Sequence, residues 1–156
     1  MNTLLRSLLL VIALGSASTW AQVKVEQAWA RATVQGQKAT GAFMKITAPQ
    51  NTRLVAVSTP VAGVAEIHEM KMDGGVMTMR AMPGLDLPAH QAVELKPGGY
   101  HLMLMDLKAP LAKDSSIALT LTFKDAKGVE NKQQVNVPVA TGMPQGGMSG
   151  HGDHQH

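Results

Sequence analysis

Cysteine is absent from all 156 residues. That excludes a disulfide framework and any thiolate-based metal or redox centre. Aromatic residues make up only 3% of the chain, which removes the stacking platforms on which single-stranded nucleic acids are held. Charge of one sign is scarce as well. The 14 Lys and Arg and 11 Asp and Glu leave +3 at pH 7, and the basic residues are scattered with no run of five. Nucleic-acid binding therefore has no electrostatic footprint. No apolar stretch reaches the roughly 20 residues of a membrane-spanning helix.

The N-terminus instead carries a targeting pattern. In MNTLLRSLLLVIALGSASTWA, the lone charge Arg6 precedes an apolar run, Leu8 to Leu14, and then small residues. This reads as an export signal, residues 1–21, cleaved after Ala21 with Thr19 three positions from the cut; Ala17 is the weaker site. Removing 21 of 156 residues leaves 135, which is one domain by length. A chain of that size buries roughly two-thirds of its unfolded surface and needs no disulfide to hold a core.

Residues 22–139 read as many short strands. Alternating or apolar segments fall at 23–32, 41–48, 52–59, 65–72, 76–82, 92–99, 100–107, 116–125 and 128–139, bounded by Gly and Pro. No segment sustains a helical period. The pattern predicts an all-β fold, an antiparallel β-sandwich or Greek-key barrel. From about Ala140 the periodicity stops. ATGMPQGGMSGHGDHQH cannot bury enough surface to offset its ordering entropy, so residues 140–156 are expected to be a flexible, disordered tail. The tail holds Met143, Met148, His151, His154 and His156, with three of the six histidines in the last six residues. Its Gly-spaced His/Met composition reads as a native metal tract rather than an oligohistidine tag.

What the chain has in excess is methionine, eleven in all. In HLMLM, 101–105, strand alternation puts Leu102 and Leu104 on one face and His101, Met103 and Met105 on the other. In EIHEMKMDGGVMTMR, 66–80, Gly74-Gly75 is a two-residue hairpin loop. That register sets Met72 opposite Met77, Met70 opposite Met79 and Glu69 opposite Arg80, an opposite-charge pair. His68, Met70, Met72, Met77 and Met79 then share one face. Glu69, Lys71, Thr78 and Arg80 take the other, and Glu66 and Glu69 read as solvated.

Two strand regions thus each present an imidazole and several thioethers. Thioether sulfur is a soft, neutral donor that suits Cu(I) and does not suit Ca²⁺ or Mg²⁺. Zinc prefers thiolate, imidazole or carboxylate. Imidazole adds a borderline donor that must be neutral to bind. A Met stripe on a strand is more often core filler, and His90, in LPAHQ, reads as a surface residue. Asp86 and Asp106 read as turn or rim residues. No nucleophile–base pair points to an enzyme.

The spacing weighs against filler. His68, ten residues, Met79, 21 residues, His101, one residue, Met103 is an H-x10-M-x21-H-x-M pattern. It resembles the periplasmic copper chaperones of the PCuAC family, as do AWARAT, GAFMKI and HLMLMDLKAPL. The resemblance implies a cupredoxin-like β-sandwich that binds Cu(I) through His68, Met79, His101 and Met103. It implies delivery to the CuA site of cytochrome c oxidase, with that enzyme's copper subunit and Sco-type proteins as partners. It also implies additional copper, including Cu(II), at the tail residues Met143, Met148, His151, His154 and His156. A periplasmic monomer with no membrane span and no nucleic-acid partner is expected. Met105 shares the ligand face and is read as packing beneath the site. Two other classes remain open: a copper-sequestering resistance protein using the same site, and a metal-free structural sandwich.

Overall fold

Alternation determines the strands. In Tyr100–Leu107, Leu102 and Leu104 are fully buried, whereas Met103 and Met105 on the other face are half-buried. The computed structural model describes residues 21–144, and every regular element among them is a strand. These are β1 (Lys24–Arg31), β2 (Ala39–Thr47), β3 (Thr52–Ser58), β4 (Ala62–Asp73) and β5 (Val76–Met82). After them come β6 (Leu85–Leu87), β7 (Ala92–Leu95), β8 (Tyr100–Leu107), β9 (Ser116–Asp125) and β10 (Glu130–Ala140). The signal segment before Ala21 lies outside the described residues, as do Met148, His151, His154 and His156.

The strand order is β5-β4-β8-β2-β1-β10-β9-β3-β6, with β7 also pairing β2. All pairings are antiparallel except that of β1 with β10, where Ala30 faces Val139 and Arg31 faces Ala140. These two strands come from opposite ends of the domain, so no short turn dictates their relative direction. Both ends of the strand path contribute to one core. Ile46, Leu102 and Leu104 meet Leu54, Leu119, Leu121 and Val137 there, all essentially without exposure.

The short strand β6 falls between the segments that periodicity picks out. Its Leu85 and Leu87 are buried, while Asp86 sits at the rim and pairs with Arg53 of β3. Three residues are too few to show alternation, which explains the silence of the sequence there.

β2 positions the site from one side. Its first half pairs with β8 and its second half with β7. The switch places the Pro97-Gly98-Gly99 turn next to the start of β8. Gly41 of β2 faces Met103. A Cβ there would lie 2.7 Å from Cζ of Phe43, so glycine lets that ring fold back along its own strand. Phe43 stacks on Trp29 at 4.8 Å between centroids, an aromatic pair worth about 0.5–1.5 kcal/mol beyond its buried area.

Candidate metal centre

The β4–β5 hairpin has the register expected from its turn. Gly74 and Gly75 both have positive φ, 56° and 82°, as a tight turn matched to strand twist requires. Met72 faces Met77, Met70 faces Met79 and Glu69 faces Arg80. The last pair closes a salt bridge of 2.7 Å. With Arg80 largely exposed, such a pair contributes on the order of 0.2–1 kcal/mol.

The pairing of β4 with β8 brings the two donor regions together. His68 lies directly opposite His101, and Glu66 opposite Met103. The imidazole centroids are 5.7 Å apart, edge to face. Met79 reaches across β4, so that its Sδ lies 3.2 Å from Nε2 of His101. An open cavity of about 350 Å³ borders this point, lined in part by Met70, Met79, His101, Met103 and Phe43. His68 is outside that lining, with its ring edge to face against that of His101. Among the described residues, no group of three or more His, Cys, Asp or Glu gathers in a metal-binding arrangement. Any metal held here depends on the thioethers.

The hydrogen bonds determine which nitrogens carry lone pairs. Nδ1 of His101 is 3.2 Å from the Gly99 carbonyl oxygen. A carbonyl only accepts, so Nδ1 carries the proton and donates it. Burial holds the His101 imidazole below its ordinary pKa; the Gly99 bond opposes this and the neighbouring His68 adds to it. The ring is therefore neutral at pH 7, and its Nε2 presents a lone pair toward Met79. Two lone-pair donors facing one another suit a soft cation.

His68 follows the same logic through a carboxylate. Its Nε2 is 2.8 Å from Oε2 of Glu66. A carboxylate only accepts, so Nε2–H donates, and in the neutral ring Nδ1 holds the lone pair. That Nδ1 is buried and has no hydrogen-bond partner. Leaving such a group unsatisfied costs about 1–3 kcal/mol, and a metal ion would satisfy it. The donor set thus fits a soft metal ion on chemical grounds. A carboxylate that orients a ligating imidazole is a recurrent arrangement in metal sites.

Of the four residues in the spaced pattern, the structure brings His101 and Met79 into contact. His68 lies beside them, and Met103 lines the same cavity. Met105, expected beneath the site, faces Val64 and Ala39 and is half-buried. Met143, the one described member of the tail set, is exposed. Two further residues belong to the site. Met70 lines the cavity beside Met79. Glu66, read from sequence as solvated, is the partner of His68. Parity was the available signal for Glu66, since residues 66 and 68 share a strand face.

Fold and donor set together define the class: a β-sandwich with a histidine–thioether site on one face. Residues 23–139 match the family described as "Putative lipoprotein LpqE-like". A Leifsonia xyli protein, "Putative lipoprotein Lxx21020", is 36% identical over 118 residues, covering 75% of this chain and 69% of its own. "Uncharacterized protein RP573" of Rickettsia prowazekii is 35% identical over 133 residues, covering 80% and 70%. Among solved structures, the apo PCuAC domain from PmoF1 aligns with a TM-score of 0.62 at 26% identity, covering 76% of this chain and 93% of that one. The solution structure of Cu(I)-DR1885 from Deinococcus radiodurans aligns at 0.59 and 26%, covering 83% and 85%. The chain belongs to the LpqE-like family, with the fold of the PCuAC domains.

Proposed function

We propose that this protein is a periplasmic copper chaperone that holds Cu(I) through His68, Met79, His101 and Met103. It releases the ion to the CuA site of cytochrome c oxidase during assembly, alone or with Sco-type proteins. The observation that carries the reading is the approach of His101 Nε2 to Met79 Sδ at 3.2 Å, with the other ring nitrogen tied to Gly99. Similarity to a solved Cu(I)-bound protein supports the choice of metal. The N-terminal export pattern and the lipoprotein descriptions of relatives support the compartment.

The donors suit a carrier rather than an enzyme. Neutral thioethers leave the charge of Cu(I) uncompensated, which keeps the complex exchangeable. Met79 is 48% exposed and the cavity beside it is open, so an acceptor's donors can enter one at a time while those of the chaperone leave. The tail extends copper binding: His151, His154 and His156 serve Cu(II), which favours nitrogen and oxygen donors, and Met143 and Met148 add soft donors beside them.

Anaerobic Cu(I) titration against a competing chelator tests the site, with one tightly held ion as the expected result. A protein that takes up no Cu(I) overturns the reading. Deletion of the gene should impair cytochrome oxidase activity more than copper tolerance. The opposite balance would favour a sequestering role for the same site.

A further inference from the structure

Beyond Met70, the β4–β5 hairpin leaves the rest of the sheet. The last β4–β8 pair is Glu69 with Tyr100, followed by a single hydrogen bond from the Met70 amide to the Gly99 carbonyl at 3.0 Å. From Lys71 to Thr78 each strand pairs only with the other among the described residues. This arm is amphipathic. Met70 and Met79 form its inner rung, and Met72 and Met77 its outer rung, all on one face. Glu69, Lys71, Thr78 and Arg80 occupy the other face.

An apolar strand face is normally covered by a core. Here nothing among the described residues covers the outer rung: Met72 is 60% exposed and Met77 45%. Packing therefore does not account for these side chains. A two-stranded ribbon is also marginally stable alone, and exposed apolar area invites association. The outer rung is nevertheless continuous with the inner rung, which lines the cavity at His101. Side chains directly opposite on an antiparallel pair have Cβ atoms roughly 4.5–5.5 Å apart, a span that two flexible thioethers can close around one ion.

We propose that Met72 and Met77 form an outer two-thioether station for Cu(I), through which the ion passes to and from the inner site. The proposal rests on the Cu(I) reading of His68, Met79, His101 and Met103. Moves between rungs exchange one neutral sulfur for another, and entry to the inner site adds neutral imidazole nitrogen, with no proton released and no change in oxidation state. The outer station has fewer donors than the inner one and lacks its buried imidazole, His101, so it is the weaker and faster-exchanging of the two. Ions load inward and leave by the same rungs when an acceptor captures them at the tip.

The test uses the full chain with carbon-13 labelled methionine methyl groups, titrated with Cu(I) under reducing, anaerobic conditions. The first equivalent should shift Met79 and Met103, and further Cu(I) should shift Met72 and Met77 together. Met44, buried in the core, should not move. Shifts at Met79 and Met103 without any at Met72 and Met77 overturn the outer station and leave the inner reading intact. Absence of shifts at Met79 and Met103 overturns the inner reading and the outer station with it. The double variant Met72→Leu/Met77→Leu keeps apolar area and removes sulfur. It should retain the inner-site shifts and exchange Cu(I) with a soluble chelator more slowly than the parent. Exchange at the parental rate overturns the station and would be the result for an apolar docking face.

Discussion

His101 and Met79 are 22 residues apart in sequence, and their donor atoms are 3.2 Å apart. Neither is on a strand that pairs with the other's. The strand between them, β4, supplies His68, so one face of three adjacent strands gathers both imidazoles and the first thioether. The consequences can be measured individually.

Replacing Met79 or Met103 by Leu removes sulfur and roughly conserves volume, a change that usually costs less than about 1.5 kcal/mol even in a core. Both variants should fold with little loss of stability and bind Cu(I) far more weakly. Met105→Leu and Met44→Leu should bind as the parent does. Equal Cu(I) affinity in all four variants, read by chelator competition, would return the methionines to a packing role.

Burial lowers the His101 pKa, so an unfolded chain takes up this proton first as pH falls through about 6.5. Protons then favour the unfolded state, and apo stability should decline as pH drops from about 6.5 toward the folded value. Cu(I) affinity should fall with acid as well, because both imidazoles must be neutral to bind. An NMR titration of the His101 ring should give a midpoint below 6.5. A midpoint above it, or affinity unchanged between about pH 7.5 and 5, contradicts this account.

Glu66 orients His68 by accepting its Nε2–H at 2.8 Å. Loss of such a partner typically costs 10–100-fold in metal affinity. Glu66→Ala should therefore weaken Cu(I) binding by about tenfold or more with little change in thermal stability. Glu66→Gln, which still offers an accepting oxygen, should recover part of the loss. Parental affinity in Glu66→Ala would show that the carboxylate is only a surface group.

Deleting residues 141–156 removes the tail donors and leaves β10, which ends at Ala140. Folding and Cu(I) binding should remain, while most Cu(II) binding, followed by isothermal titration, should disappear. If Cu(I) is lost instead, the primary site lies in the tail.

Much of this was legible in the sequence because two local rules carry it. Side chains alternate with a period of two, so HLMLM sorts itself into core leucines and a donor face. Gly74-Gly75 sets the hairpin register, and with it the rungs Met70–Met79 and Met72–Met77. The export pattern, the absence of thiols and the spaced His/Met pattern are likewise properties of the chain alone. Other features depended on pairings between strands distant in sequence, which no local rule specifies. Tertiary structure put His68 opposite His101 by pairing β4 with β8. It chose the parallel contact of β1 with β10, and it left the hairpin arm without a cover. It also assigned the lone pairs, since those depend on the Gly99 carbonyl and the Glu66 carboxylate meeting particular ring nitrogens. Local alternation determines which way a side chain points, and only the folded sheet determines what it meets there.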